Sequence, residues 1–116
     1  MWKGVVLLAT VIAVGADLAA TAAGGSGNPA NDSLLAASPD QQARMLTQGI
    51  KGCVGESPFP MGVTTTGKAK GYAYWSVRCK DGRSFAVQIT PAVKAKAIVV
   101  DCRALEGTGK ECFKKF

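Results

Sequence analysis

Four cysteines constrain this chain most, because all of them follow an amino-terminal segment that is typical of secretion. Lys3 gives a positive charge, Gly4–Ala16 is an apolar run, and Ala20–Ala23 is a stretch of small residues. That order is characteristic of a secretory signal peptide, which we assign to residues 1–23. An exported chain meets an oxidising compartment, where an even number of cysteines predicts disulfides. We therefore expect two bridges among Cys53, Cys79, Cys102 and Cys112.

Removal of the signal peptide leaves enough chain for one small domain. Residues 24–37 are rich in glycine, serine, asparagine and proline, and this composition predicts a flexible leader. We expect a single disulfide-bonded domain over residues 38–116. The core of so small a domain gives little stability, whereas each bridge adds about 3 kcal/mol in the chain-entropy model.

A short helix is predicted at the start of this domain. Ser38 is a good N-cap, Pro39 fits the first helical position, and Gln41 stands where a capping box needs it. Apolar residues follow at helical spacing, so we expect a helix over residues 39–48. The next stretch, residues 54–70, contains several prolines and glycines and is predicted to be a loop.

The strongest pattern is a β-hairpin over residues 72–89, in which apolar and polar residues alternate. A two-residue turn at Asp81–Gly82 would place apolar residues opposite polar ones. A three-residue turn that ends with Gly82 in the left-handed conformation aligns both apolar rows instead. We therefore predict a G1 bulge at Gly82. The cross-strand pairs are then Ala73 with Ile89, Trp75 with Val87, and Val77 with Phe85.

Residues 98–102 are predicted to form a third strand, because they are rich in β-branched side chains. We thus expect an α+β fold, with a short N-terminal helix packed on a three-stranded antiparallel sheet and two disulfides. In such a meander Cys79 and Cys102 lie two strands apart, about 10 Å, which is too far for a bridge. That favours Cys53–Cys79 with Cys102–Cys112, and it leaves Cys53–Cys102 with Cys79–Cys112 open.

The residues of most catalytic and metal sites are missing from this chain. It contains no histidine, which removes imidazole acid–base catalysis and the commonest metal ligand. The cysteines do not form a C-x-x-C motif, so neither a redox site nor a zinc knuckle is predicted. The helix start explains Asp40, and the turn explains Asp81. We therefore expect no enzyme activity, no cofactor and no metal.

The charge pattern limits the classes of partner. The formal net charge is +6, but the basic residues are scattered and form no run of five like charges. Such a pattern does not indicate nucleic-acid binding. Outside the cytoplasm the anionic partners are envelope polymers, lipid head groups and acidic proteins. Because Asp17 interrupts the apolar segment, we expect no stable membrane anchor.

The outer face of the predicted hairpin carries the candidate contact residues. They are Tyr72, Tyr74, Arg78, Lys80 and Gln88. Tyrosine and arginine are enriched at the energetic centres of protein interfaces. The same residues also fit an ordinary sheet surface whose tyrosines flank the core. We expect a periplasmic or secreted binding or accessory module that makes non-covalent contact with an envelope or secreted protein.

Part of the chain resembles known exported proteins. The segments Tyr74–Val87, Asp101–Cys102 and Cys112–Lys115 resemble a group of small exported proteobacterial proteins of unassigned function. That resemblance implies export and disulfides. A weaker similarity is to periplasmic lysozyme inhibitors, whose domains open with a Tyr-x-Cys-x-x-Gly-like strand. Inhibition of a cell-wall hydrolase such as lysozyme is therefore the alternative function.

The first prediction concerns export. Mass spectrometry of the protein isolated from its native source should show an amino terminus at Ala23 or Gly24, because the small-residue site directly precedes these positions. A full-length product that stays embedded in a membrane would contradict the assignment of a cleaved signal peptide.

Overall fold

The computed structural model describes residues 25–116, so the predicted signal peptide lies outside the described residues. The four strands of this range form one antiparallel sheet in the order β1–β2–β3–β4. The elements are α1 (Pro29–Ala36), α2 (Pro39–Thr47), β1 (Gly55–Val63), β2 (Ala73–Cys79), β3 (Ser84–Ile89), β4 (Ala97–Asp101) and a 3₁₀ helix (Cys102–Leu105). The α+β class is confirmed. The expected counts of one helix and three strands are wrong, since the described chain contains one more of each.

The β2–β3 hairpin has the predicted register. The structure pairs Ala73 with Ile89, Trp75 with Val87, and Val77 with Phe85. In the turn, the N–H of Cys79 donates to the carbonyl of Arg83 at 2.7 Å, and the N–H of Gly82 donates to the carbonyl of Cys79 at 2.9 Å. Gly82 has a φ of 97°, which a residue with a side chain rarely adopts. The three-residue turn is confirmed.

The two helices pack on one face of the sheet, which we call the inner face. Trp75 and Val77 of β2 are fully buried there, with Val87 of β3 beside them, and Phe85 packs at the margin. The helical side contributes Leu34, Leu46 and Ile50. This core agrees with the alternation predicted for the hairpin, because every second residue of a strand points to the same face.

Helix α2 begins as its sequence predicts. The side chain of Ser38 accepts a hydrogen bond from the N–H of Gln41, and the side chain of Gln41 accepts one from the N–H of Ser38. This reciprocal capping box satisfies two of the unpaired donors at the helix start. The helix ends at Thr47, one residue before the predicted end.

The prediction of a flexible leader over residues 24–37 is wrong, because this segment contains α1. Asn28 caps the helix by accepting the N–H of Asn31 at 3.1 Å, and Pro29 follows at the first helical position. The side chain of Asn31 in turn accepts the indole N–H of Trp75 at 2.7 Å, at a buried site. The polar residues that indicated a loop are therefore the cap and the core anchor of a helix.

The prediction of a loop over residues 54–70 is also wrong in part, because β1 runs from Gly55 to Val63. The prolines of this stretch lie on an edge strand, where a missing N–H need not break the ladder. The β1–β2 register shifts between Glu56 and Phe59 and again between Pro60 and Gly62. Because of these irregularities, the sequence of β1 lacks a regular alternation of apolar and polar residues, and the pattern does not predict a strand.

Both disulfides favoured by the sequence are present. The Cα atoms of Cys53 and Cys79 are 5.1 Å apart, and those of Cys102 and Cys112 are 5.7 Å apart. The first bridge ties the end of the helical region to β2. The second closes a loop after β4, so Cys79 and Cys102 are not joined, as the meander argument requires.

A pair of glycine variants tests the turn. Gly82→Ala should lower the free energy of unfolding by about 1 kcal/mol, because the left-handed conformation is strained for alanine. No atom lies within 4 Å of the added Cβ, so conformation is the only source of that cost. Gly49→Ala is the control, since its Cβ also meets nothing within 4 Å and its φ is ordinary. Urea denaturation should show no loss for Gly49→Ala, and equal losses would contradict the turn assignment.

Candidate interaction surface

The structure places the predicted contact residues on or beside the outer face of the sheet, the face opposite the helices. Tyr74 and Arg78 lie on β2, and Gln88 lies on β3 directly opposite Tyr74. Lys80 is exposed in the turn after β2, and Tyr72 is half-buried just before that strand. Three of the five residues therefore share one face, and the other two flank it.

The segment Cys112–Phe116, which we call the tail, lies across this outer face. The N–H of Phe113 donates to the hydroxyl of Ser76 at 2.9 Å, and the N–H of Phe116 donates to the carbonyl of Met61 at 3.2 Å. Ser76 and Met61 are fully buried, although neither belongs to the core between helices and sheet. The tail thus covers the middle of the outer face.

Aromatic rings of β1, β2 and the tail pack against one another on the outer face. Phe116 packs edge-on against Tyr74 of β2, with ring centroids 5.6 Å apart, an arrangement that aromatic pairs prefer. Phe113 lies 6.4 Å from Phe59 of β1. A Cβ on Gly62 would stand 3.4 Å from the Phe116 ring, so the absence of a side chain lets that ring lie close against β1.

Cations lie over these rings at distances typical of cation–π contact. The pairs are Arg78 over Phe113 at 5.3 Å, Lys110 over Phe116 at 5.5 Å and Lys115 over Phe59 at 5.9 Å. The rings hold the charged groups near one another on the surface. We call this set the aromatic–cation surface, which comprises Phe59, Tyr74, Arg78, Lys110, Phe113, Lys115 and Phe116.

The cations of the aromatic–cation surface are not neutralised by carboxylates. Within residues 25–116 the ion pairs are Arg83 with Asp81 and Arg103 with Asp101, and neither pair includes a cation of this surface. Glu56 stands opposite Arg78 in the β1–β2 register but forms no ion pair with it. Three positive charges and the partly exposed Phe116 ring therefore face solvent together.

The two Arg–Asp pairs stabilise turns at one end of the sheet. The hydrogen bond from the Arg83 side chain lowers the pKa of Asp81 below its ordinary value of 3.8, and Arg103 lowers the pKa of Asp101 in the same way. Each aspartate also accepts the backbone N–H of the arginine two residues later. These carboxylates are therefore engaged in local structure.

The second disulfide attaches the tail to the sheet. The strand β4 ends at Asp101, Cys102 follows it, and its partner Cys112 begins the tail. Glu111 accepts the backbone N–H of Gly109 at 3.1 Å, which lowers the pKa of its carboxyl group and holds the loop between the cysteines. The covalent bridge therefore fixes where the tail starts, and the hydrogen bonds donated by the N–H groups of Phe113 and Phe116 fix its path.

Sequence alternation identified Tyr74 and Arg78, but it missed Phe59, Phe113 and Phe116. Phe59 belongs to the strand that was interpreted as a loop, and the tail has no local signal that tells where it packs. One signal was present on the sheet itself. Small residues, Ser76 and Ala86, lie opposite each other in the middle of the outer row and are buried, as expected where another segment covers them.

Metal-site clusters and membrane-spanning helices do not occur within residues 25–116. Within this range no three histidine, cysteine or acidic side chains cluster as a metal site, and no helix has the length and apolar character needed to cross a membrane. No protein-family model, curated protein or solved structure matches the chain.

Removal of the second disulfide should release the tail and leave the core intact. In Cys102→Ser/Cys112→Ser, the amide protons of Phe113 and Phe116 should exchange with solvent at least about tenfold faster. Without the bridge, the tail is no longer held close to the groups that accept these two hydrogen bonds. Hydrogen exchange followed by NMR measures this, with the Val87 amide as internal reference.

The matched control is Cys53→Ser/Cys79→Ser, which cuts the bridge beside the core. It should lower the stability of the whole domain and accelerate exchange at Val87 as well. Unchanged exchange at Phe113 and Phe116 in the first variant would show that the tail holds its place without the disulfide.

Proposed function

We propose that this chain is an exported binding or accessory module that acts by non-covalent contact with an acidic protein of the envelope or of the secreted fraction. The aromatic–cation surface carries this proposal. It combines aromatic rings and an arginine, the residue types that dominate interface energetics. Its cations lack carboxylate partners within the described range, so a partner can supply them.

The charge of the chain favours an acidic partner. A formal net charge of +6 speeds association with negatively charged proteins and disfavours basic ones. The cation–π contacts reduce the freedom of Arg78, Lys110 and Lys115 before binding. Side chains that are already ordered lose less entropy on association, which raises affinity.

Export is supported by separate features of the chain. The charged, apolar and small-residue order of residues 1–23 is typical of a signal peptide. Two disulfides within residues 25–116 fit an oxidising compartment. The resemblance of the region Tyr74–Phe116 to small exported proteins supports the same periplasmic or secreted location.

A matched pair of triple variants tests the surface. A tagged form of the exported protein, purified from its own envelope fraction, should retain one stoichiometric partner. Arg78→Gln/Lys110→Gln/Lys115→Gln should weaken that complex by about tenfold or more, because it removes the three ring-bound charges. Lys68→Gln/Lys70→Gln/Lys94→Gln removes the same charge from exposed positions elsewhere and should bind as the wild type does.

Other outcomes would change the proposal in defined ways. Equal loss in both triple variants would show that net charge, and not this surface, drives association. If the protein binds a purified anionic envelope polymer and retains no protein partner, the proposed partner is the polymer and not an acidic protein. Stoichiometric loss of lysozyme activity on titration would support the hydrolase-inhibitor alternative.

A further inference from the structure

Among residues 25–116, no strand pairs with the outer edge of β4. The N–H of Thr90 donates to the carbonyl of Lys96 at 3.0 Å, and the N–H of Lys96 donates to the hydroxyl of Thr90 at 2.9 Å, so these two residues face each other just beyond the paired ends of β3 and β4. Because the direction of backbone groups alternates along a strand, Ile98 and Val100 also bond to β3. The N–H and C=O groups of the residues between them, and of those at each end of β4, point outward, away from the sheet.

The side chains along this edge are apolar and accessible. Ile98 is 49% exposed and Val99 is 36% exposed, on opposite faces of the strand. Helices α1 and α2 pack over the other strands of the sheet and leave β4 largely uncovered, since only Val100 of its five residues is partly buried. A regular, apolar and unprotected edge is a template for pairing with another strand.

The opposite edge of the same sheet is blocked. Strand β1 contains Pro58 and Pro60, and its register shifts twice. Ser57 in this strand also has a positive φ of 53°. Prolines and bulges are the devices by which sheet edges avoid further pairing. Of the two edges of the sheet, β4 is therefore the one that can pair with another strand.

We infer that two copies of this chain pair through β4, antiparallel and centred on Val99, to form one continuous sheet of eight strands. A two-fold axis perpendicular to the sheet must pass between two identical residues. The register centred on Val99 is the one in which all five residues of Ala97–Asp101 pair with β4 of the second copy. In it the outward groups of Ala97, Val99 and Asp101 meet outward groups of the second copy.

The edge is complementary to itself in this register. Val99 meets Val99 on one face, and Ile98 meets Val100 on the other, so apolar side chains lie together. No like charges stand directly opposite each other, which would be destabilising. Within the paired strands the one charged residue, Asp101, faces Ala97 of the second copy.

The contact is small, and each copy carries a formal charge of +6, so the dimer is weak. A single pair of short strands falls below the standard interface size, so we expect association only at high protein concentration. Salt screens the repulsion between the copies, so self-association should strengthen as salt rises. The proposed binding of an acidic partner should weaken with salt, and the two associations are therefore distinguishable.

Sedimentation equilibrium of the exported protein tests the inference with variants of identical composition. Val99→Lys places a charge at the centre of the pairing edge and should leave the protein monomeric. Val93→Lys makes the same exchange at a residue that is 97% exposed outside the strand, and it should dimerise like the wild type. Matched urea denaturation midpoints for the two variants would show that both remain folded.

Hydrogen exchange of the unmodified protein gives a second measurement. The Val99 amide, which points outward, should become at least about tenfold better protected as protein concentration rises past the dissociation constant, whereas the Ile98 amide is protected at every concentration. A protein that stays monomeric at millimolar concentration and high salt would overturn the inference. So would a dimer in which the Val99 amide stays unprotected.

Discussion

The register of the β2–β3 hairpin is the constraint on which the other parts of the structure depend. The bulge at Gly82 aligns Trp75 with Val87 and Val77 with Phe85. In this register the apolar side chains of both strands lie on the same face of the sheet, toward the helices. A shift by one residue would exchange the two faces of β2. The helices would then face Tyr74 and Arg78, and the tail would face Trp75.

The two faces of the sheet are covered by different means. On the inner face, helix packing buries apolar side chains, and the hydrogen bond from Trp75 to Asn31 fixes α1 in place. On the outer face, a five-residue tail is held by one disulfide and by two hydrogen bonds, one to the Ser76 hydroxyl and one to the carbonyl of Met61. A small domain has little core to stabilise it, and a covalent tether lets a short segment cover a sheet that it could not cover by packing alone.

Local signals in the sequence were sufficient for some elements and not for others. The hairpin and α2 could be predicted, because alternation, the turn and the capping box of Ser38 and Gln41 are all local. Helix α1 begins with the same kind of signal, Asn28 followed by Pro29, but its polar flanks resemble a linker. Strand β1 was missed because its prolines are tolerated only at an edge, and edge position depends on the whole sheet.

The candidate surface shows the same division. Tyr74 and Arg78 follow from alternation within one strand, whereas their contacts with Phe116 and Phe113 join parts of the chain that are far apart. The N–H of Phe113 and the hydroxyl of Ser76, for example, are separated by 37 residues. Such a contact depends on the sheet being formed first, and no spacing rule in the sequence encodes it. For the disulfides, the sequence favoured one of two possible pairings, and the choice between them depended on the order of the strands in the sheet.

The loop closed by Cys102 and Cys112 has a consequence for how this fold can diversify. Both ends of the loop are fixed by one covalent bond, and the residues within it contribute nothing to the core around Trp75. The loop residues that precede Lys110 can therefore change in length and composition without altering that core or the aromatic–cation surface. In protein engineering this part of the loop is a grafting position, where a foreign recognition peptide could be displayed in constrained form on an unchanged domain.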